Sequence, residues 1–202
     1  MTTPIIPRDL FFRFKRPSHF LERVAAFGGS FCHVDVVAVG KDNTELGAFS
    51  AYQGCEFQCY GVPPSGFDTG TYTWVRIEAS VKTRTSIMNF LTQLIGSPYN
   101  LAAWVACPLN APTLKSSPGS WFCSEVCAEV LGRFLVDQNN MDAIGARPSS
   151  ATSPNRFFSD LTALGFEPLT AKDLGNLFSN DGTTQPRTDT LHTACAELTV
   201  NA

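Results

Sequence analysis

The chain has 202 residues, a length that suits one domain or one domain with a decorated tail. Its hydrophobic fraction of 44% and charged fraction of 16% are those of an ordinary globular chain with enough apolar material for a core. A net charge of -3 argues against a nucleic-acid binder, which usually shows a basic surplus. No apolar run approaches a membrane span, and Arg8, Asp9 and Arg13 interrupt any signal-peptide core. We expect no stable membrane insertion and a protein that is cytoplasmic as synthesised.

The cysteines form no regular framework, and their number, seven, is odd in a chain too long to need disulfide staples. A reducing compartment is therefore the simplest setting. Cys55 with Cys59 is a poorly spaced pair of conceivable zinc ligands, and His192 with Cys195 stands alone. We therefore predict no metal and no other cofactor.

Residues 10–16 mix aromatic and basic side chains near the start of the chain. Such a mixture can contact an anionic surface, but most aromatic side chains are buried, so a strand packed across the core is favoured. A short helix is predicted over residues 17–24, with Ser18 as its cap.

His33 lies in a run rich in β-branched residues, 30–39, which predicts a strand. A histidine fixed on a rigid strand is well placed to act as a base, although one that meets a backbone carbonyl or water is the plainer alternative. Turn residues follow at 40–43, and a second strand is predicted over 45–52. Two strands joined in this way pair antiparallel, so a residue of the second can reach the distal nitrogen of His33.

Further along the chain, alternation predicts a strand over 71–78, and one apolar face predicts a helix over 85–95 that ends at Gly96. Residues 101–107 form a predicted buried helix, and the proline-rich segment 108–119 a surface loop that can cover a cleft.

Ser153 and Pro154 have the residue types that begin a helix, and Gly165 ends the predicted helix. Residues 172–178 are a weaker helix prediction, and 180–202 are predicted to be loop or partly disordered. We expect a catalytic domain over residues 1–170 and a C-terminal extension over 171–202.

The most informative stretch surrounds Cys123. Apolar residues recur at spacing four from Phe122 to Phe134, which predicts an amphipathic helix, and Ser120 is a suitable N-cap. Cys123 then lies in the first turn, where unpaired N–H groups and the helix dipole favour the nucleophilic thiolate. The plainer alternative is a small buried hydrophobe, which free cysteines usually are.

These pieces occur in one order: the His33 strand, a second strand ending at residue 51, the Gly-Ser-Pro-Tyr-Asn turn at 96–100, and the Trp-Phe-Cys-Ser-Glu helix start at 121–125. Together they resemble the circularly permuted branch of the NlpC/P60 group of papain-like cysteine hydrolases, in which the histidine precedes the cysteine. The resemblance covers roughly residues 30–165. It implies an α+β papain-like permuted fold with a central antiparallel sheet, of about five or six strands by usual sheet size, packed against the cysteine helix.

The resemblance also implies the catalytic residues. Cys123 matches the nucleophile and His33 the base, while Ser50 matches the third position, where relatives often carry a glutamate, a histidine or another polar residue. A serine can orient an imidazole but cannot neutralise its charge. Asp35 competes for this role, because residues two apart on a strand point to the same side. The choice between Ser50 and Asp35 stays open.

Two more residues are predicted to bind substrate. Ser124 follows the nucleophile in the family signature. Tyr99 lies in the Gly-Ser-Pro-Tyr-Asn turn, in which relatives often have an aspartate at the position of Asn100. The Tyr99 side chain can either line the cleft or pack beneath the loop.

The implied activity is hydrolysis of amides by an amidase or endopeptidase, most often on peptidoglycan stem peptides. Such a protein would fit a phage lysis enzyme or a toxin delivered by a route that needs no signal peptide, with any delivery or immunity partner unknown. The alternatives are a thiol protease on proteins, an acyltransferase or lipid hydrolase of the permuted type, and an inactive binding module. A lipid enzyme would need an apolar cleft and a membrane-contacting patch, for which residues 10–14 are the candidate.

Overall fold

The computed structural model describes residues 9–26, 28–40, 45–51, 54–61, 69–106, 119–136 and 152–179. Within them the chain forms an α+β fold built on a six-stranded antiparallel sheet. The strands are β1 Asp9–Lys15, β2 His33–Val39, β3 Glu45–Ala51, β4 Cys55–Gly61, β5 Tyr72–Ile77 and β6 Pro168–Leu169. The helices are α1 Phe20–Ala25, α2 Val81–Leu94, α3 Leu101–Ala106, α4 Cys123–Val130, α5 Pro154–Ala163 and α6 Ala171–Ser179. A π-helical turn, Leu131–Leu135, continues α4.

The strand order is β4-β3-β2-β1-β5-β6, so β1 lies between β2 and β5. Its apolar side chains Leu10, Phe11, Phe12 and Phe14 are completely buried. The prediction that residues 10–16 pack across the core is therefore confirmed. The suggestion that residues 10–14 form a membrane-contacting patch is wrong, because none of these apolar side chains reaches the surface.

Side-chain alternation divides the sheet into two faces. The larger core lies on one face, where Phe12 and Val36 pack with apolar residues of α2, α4 and α5. The smaller core lies on the other face, where Phe11 and Trp74 pack against Leu174 of α6. The helical part of the predicted C-terminal extension therefore contributes to the core, and residues 180–202 lie outside the described residues.

The helix boundaries follow from their caps. The predicted start of α5 is confirmed, since Ser153 Oγ accepts a hydrogen bond from the Arg156 N–H at 3.2 Å and Pro154 is the first helical residue. Helix α2 begins four residues earlier than its apolar pattern indicates, because Ser80 Oγ accepts from the Thr83 N–H at 3.1 Å.

The predicted cap of α1 is wrong. His19 is the N-cap residue, and the Ser18 hydroxyl instead donates to the carboxylate of Glu22 at 2.7 Å. Of the predicted covering loop, only Gly119 falls within the described residues. None of the described helices is long and apolar enough to span a bilayer.

Asn155 fastens the segment that leads into β2. Its Oδ1 accepts from the Phe31 N–H at 2.9 Å, and its Nδ2 donates to the carbonyl oxygens of Phe31 at 2.9 Å and Ala26 at 3.2 Å. Gly29 passes so close that an added Cβ would lie 2.3 Å from the Asn155 amide. The Asn155 side chain thus holds the approach to His33 against α5.

We expect Asn155→Ala to lower the free energy of unfolding by about 2 kcal/mol, because three hydrogen bonds are lost and backbone groups are left without partners. Urea denaturation followed by circular dichroism measures this. Ser159→Ala is the matched control on the same helix, since the exposed Ser159 hydroxyl makes one local bond to a backbone carbonyl. Equal losses in the two variants would contradict the structural role of Asn155.

Candidate active site

Cys123 is the first residue of α4. The residue before it, Phe122, is the N-cap with extended backbone angles, φ -123° and ψ 166°. Glu125 accepts a hydrogen bond from the Phe122 N–H at 3.3 Å, as acidic residues at the third helical position often do. The prediction that Cys123 lies in the first turn is confirmed, whereas the prediction that Ser120 caps the helix is wrong.

Helix α4 starts no earlier because Trp121, two residues before Cys123, is held in an extended ladder. Trp121 N–H donates to the Pro98 carbonyl at 3.0 Å, and the Trp121 carbonyl accepts from the Asn100 N–H at 2.9 Å. Tyr99 lies between these partners and forms a parallel bridge with Trp121. Backbone groups committed to this ladder cannot join a helix, so α4 begins only after it.

The same turn begins α3. Asn100 Oδ1 accepts from the Ala103 N–H at 3.1 Å, which is an N-cap contact that an aspartate would also make. Asn100 therefore caps α3 as an aspartate at this position would. Tyr99 is half-buried and packs against apolar residues of the larger core and against the small cluster around Phe122.

His33 meets Cys123 by a side-chain hydrogen bond. Alternation along β2 puts His33 on the face of the smaller core, whereas α4 packs against the other face. The two side chains can still meet because His33 is the first residue of its strand and Cys123 the first of its helix. The pair therefore lies at one end of the sheet.

The distal nitrogen of His33 has two oxygen partners. Nε2 lies 2.7 Å from Asp35 Oδ1 and 3.0 Å from Ser50 Oγ. An ionised carboxylate only accepts hydrogen bonds, so Nε2 carries a hydrogen and Nδ1 is the nitrogen left for the Cys123 sulfur. Both candidates for the third position are thus brought to His33, and Asp35 is the one that carries charge.

Arg13 extends this set of contacts and was missed from the sequence. Its Nε and Nη2 donate to Asp35 Oδ2 at 3.1 and 2.7 Å, and its guanidinium stacks over the Tyr72 ring at 4.6 Å. Arg13 and Asp35 are directly paired on β1 and β2, 22 residues apart in sequence. Only the strand register shows this partnership, so no local signal could have found it.

The electrostatic environment favours an ion pair between Cys123 and His33. Burial opposes charge on both groups. However, the positive imidazolium, its hydrogen bond and the Val34 N–H together hold the pKa of the Cys123 thiol below its ordinary value. In the same way, burial lowers the pKa of His33, but Asp35 and the Cys123 thiolate raise it well above its usual range. The pKa of Asp35 is lowered, since the charges and hydrogen bonds of His33 and Arg13 outweigh its burial.

Cys123 differs in this respect from the other cysteines whose side chains the structure describes. Burial raises the pKa of Cys32, and it raises the pKa of Cys127, one turn along α4, well above the ordinary value. Burial also raises the pKa of Cys55, to about 12. The nucleophilic thiolate is therefore favoured at Cys123 alone among these four.

The start of α4 also supplies hydrogen-bond donors. The Phe122 N–H is engaged by Glu125, and the backbone N–H groups of Cys123 and Ser124 are among those that a helix cannot pair internally. They lie beside the Cys123 sulfur, where the oxyanion of an acyl-transfer reaction would form. The Ser124 side chain is completely buried, and its Oγ has no hydrogen-bond partner among the described residues.

The described residues contain no group of three or more histidine, cysteine, aspartate or glutamate side chains placed to hold a metal. The conceivable ligands His192 and Cys195 lie outside the described residues. Cys55 is buried in the larger core.

Comparisons of the chain with protein-family models, with curated proteins and with solved structures found no match. The resemblance to the permuted NlpC/P60 group therefore rests on the residues of this chain.

We expect Asp35→Asn to move the alkaline limit of the Cys123–His33 ion pair, which is the pH at which the imidazolium loses its proton, to lower pH by at least about one pH unit. Asp35 raises the pKa of His33, so its removal lets the imidazolium lose its proton earlier as the pH rises. The measurement is the titration of the His33 imidazole against pH, by NMR.

Ser50→Ala is the matched control for this pH profile, because Ser50 contacts the same nitrogen without charge. We expect a smaller movement of the alkaline limit in this variant. Equal movements, or an upward movement in Asp35→Asn, would contradict the assignment of Asp35 as the charged partner.

Proposed function

We propose that the protein is a cysteine-dependent amide hydrolase, an amidase or endopeptidase, with the circularly permuted NlpC/P60 form of the papain-like fold. One observation carries the proposal: a thiol at the first residue of a buried helix is hydrogen-bonded to a histidine that a buried carboxylate orients. The order of the elements supports it, since the histidine strand precedes the cysteine helix and the antiparallel sheet packs against that helix.

In the proposed mechanism, the Cys123 thiolate attacks the carbonyl carbon of the substrate and the carbonyl π electrons move to oxygen. The backbone N–H groups of Cys123 and Ser124 stabilise that oxyanion. The oxyanion then collapses, the C–N bond breaks, and His33 Nδ1 gives its proton to the leaving amine. A thioester to Cys123 remains.

Water completes the reaction. It attacks the thioester carbon while neutral His33 Nδ1 takes its proton, and the C–S bond then breaks to release the acid and restore the thiolate–imidazolium pair. Asp35 acts throughout by holding the Nε2–H, so that the ring does not rotate away from the sulfur.

For the substrate we propose the stem peptides of peptidoglycan, the class that the NlpC/P60 resemblance implies. Phage lysis and delivery as a toxin are the biological settings that fit this substrate. A thiol protease acting on proteins would use the same chemistry on another peptide.

The proposed function is tested by digestion of purified peptidoglycan, with released fragments identified by mass spectrometry. We expect new peptide termini with the intact protein and a loss of at least about a thousandfold in Cys123→Ala, because no other group replaces the nucleophile. The matched control is Cys127→Ala, which removes a buried thiol from the same helix and leaves the Cys123–His33 pair intact.

Release of fragments by Cys123→Ala would overturn the cysteine mechanism. No release by the intact protein, with Cys123 still alkylated rapidly by iodoacetamide at neutral pH, would overturn the peptidoglycan substrate and retain the thiol enzyme.

A second candidate function is acyl transfer or lipid hydrolysis by the same pair. It is favoured by one observation, the exposed apolar side chains of α1 in the connection between β1 and β2 that leads to His33. Release of fatty acid from phospholipid by the intact protein, absent in Cys123→Ala, would select it over amide hydrolysis. The inactive binding module is disfavoured, because Asp35 supplies the charged third group that Ser50 lacks.

A further inference from the structure

Helix α1 exposes apolar side chains instead of burying them. Phe20 is 76% exposed, Leu21 72% and Val24 51%, and no residue of the helix is buried. The three lie at positions one, two and five of the helix, so Val24 sits one turn beyond Phe20. Contiguous exposed apolar side chains of this kind mark an interaction surface more often than scattered single ones do.

Polar contacts hold α1 in place. Glu22 forms a salt bridge with Lys15 and accepts from the Ser18 N–H at 2.7 Å, while Asn155 Nδ2 donates to the carbonyl of Ala26 just beyond the helix. Both anchors are independent of Phe20, Leu21 and Val24. The fold therefore does not depend on burying these apolar side chains.

The charges beside the apolar side chains are positive. Arg16 and Arg23 are exposed. The guanidinium of Arg16 donates to neutral oxygens, the carbonyls of Thr69 and Gly70 and the hydroxyl of Thr73. Arg23 makes no ion pair with any residue in the described ranges, and Lys15 already neutralises the one acid of the helix, Glu22. This local excess of positive charge occurs in a chain whose net charge is -3.

The position of α1 relates this surface to the candidate active site. The helix lies in the connection from β1 to β2, and Lys15 at the end of β1 pairs with His33 at the start of β2. The exposed apolar side chains are therefore at the same end of the sheet as the Cys123–His33 pair.

We propose that Phe20, Leu21 and Val24, together with Arg16 and Arg23, form a docking surface for an anionic lipid bilayer. Apolar side chains that enter the interface, flanked by cations that contact anionic headgroups, are the features that hold a helix at a membrane surface. A second copy of this chain is a poorer occupant. It would bring like charges together. So small a number of side chains also buries far less area than a stable protein interface does.

Docking on this surface presents the end of the sheet that holds Cys123 and His33 to the bilayer. Substrates attached to or dissolved in the membrane would then meet the candidate active site directly. The binding surface stands independently of the catalytic chemistry, since none of its side chains belongs to the Cys123–His33 pair or to the partners of His33.

The test is co-sedimentation of the full chain with vesicles of phosphatidylcholine alone and of phosphatidylcholine mixed with phosphatidylglycerol. We expect binding to the anionic vesicles that weakens as salt is added, because headgroup attraction is screened. The double variant Phe20→Ser/Leu21→Ser should bind at least about tenfold more weakly, since burying two such side chains is worth more than that ratio. Arg23→Gln should weaken binding about fivefold, and only to anionic vesicles.

Val81→Ser is the matched control. Val81 is 52% exposed, and it follows the end of β5 that lies away from His33. We expect Val81→Ser to bind the anionic vesicles as strongly as the unaltered chain does. Thermal unfolding should be unchanged in all of these variants, because the substituted side chains are exposed.

Absence of binding to anionic vesicles would overturn the proposal, as would equal binding by the double variant. A loss of self-association in the double variant, measured by light scattering without vesicles, would assign the surface to a second copy instead. These outcomes are distinct from failure of the proposed hydrolase, because Cys123→Ala should bind the vesicles as the unaltered chain does.

Discussion

The buried carboxylate of Asp35 is the constraint on which the candidate site depends. A buried charge is costly unless it is paired and hydrogen-bonded. Asp35 meets this condition with a different cation at each oxygen, His33 Nε2 at Oδ1 and Arg13 at Oδ2. The Cys123 thiolate extends this series on the other side of His33. The charges therefore alternate in sign from the Arg13 guanidinium to the Cys123 sulfur. Every member of the series therefore stabilises its neighbour in surroundings where water screens little.

The side chains of Cys123 and His33 lie where their elements begin, and this has a structural cause. The extended ladder of Trp121 with Pro98 and Asn100 prevents α4 from starting before Cys123. The contacts of Asn155 hold the backbone that enters β2 at His33. A helix start supplies unpaired N–H donors, and a strand start lets a side chain on one face reach a group on the other. The candidate site is thus built on rigid elements whose ends coincide.

Helix α1 is stabilised by polar contacts and not by apolar burial. Most short helices are stabilised by burying an apolar face, whereas α1 is held by the carboxylate of Glu22 and by the amide of Asn155. Its apolar side chains are consequently free to contact something outside the fold. The residues that hold the helix differ from those that form its exposed apolar surface. The proposed lipid surface can therefore be substituted without loss of stability.

The sequence by itself determined the local features. β-Branched runs located the strands around His33 and at β5, and the serine and proline at 153–154 located α5, because these signals act within a few residues. Alternation along one strand was enough to place Asp35 beside His33. The pairing of Cys123 with His33 was predicted from a resemblance in the order of motifs, and the structure brings the two side chains together.

Tertiary structure alone decided the remainder. Arg13 reaches Asp35 only through the register of β1 on β2, and Ser120 loses the cap of α4 because Trp121 pairs with a distant turn. The same is true of Leu174, which packs on the second face of the sheet. Each of these contacts joins residues far apart in sequence, where propensity and periodicity carry no information. Local preference sets which element forms, and long-range packing sets which ends meet and what each side chain touches.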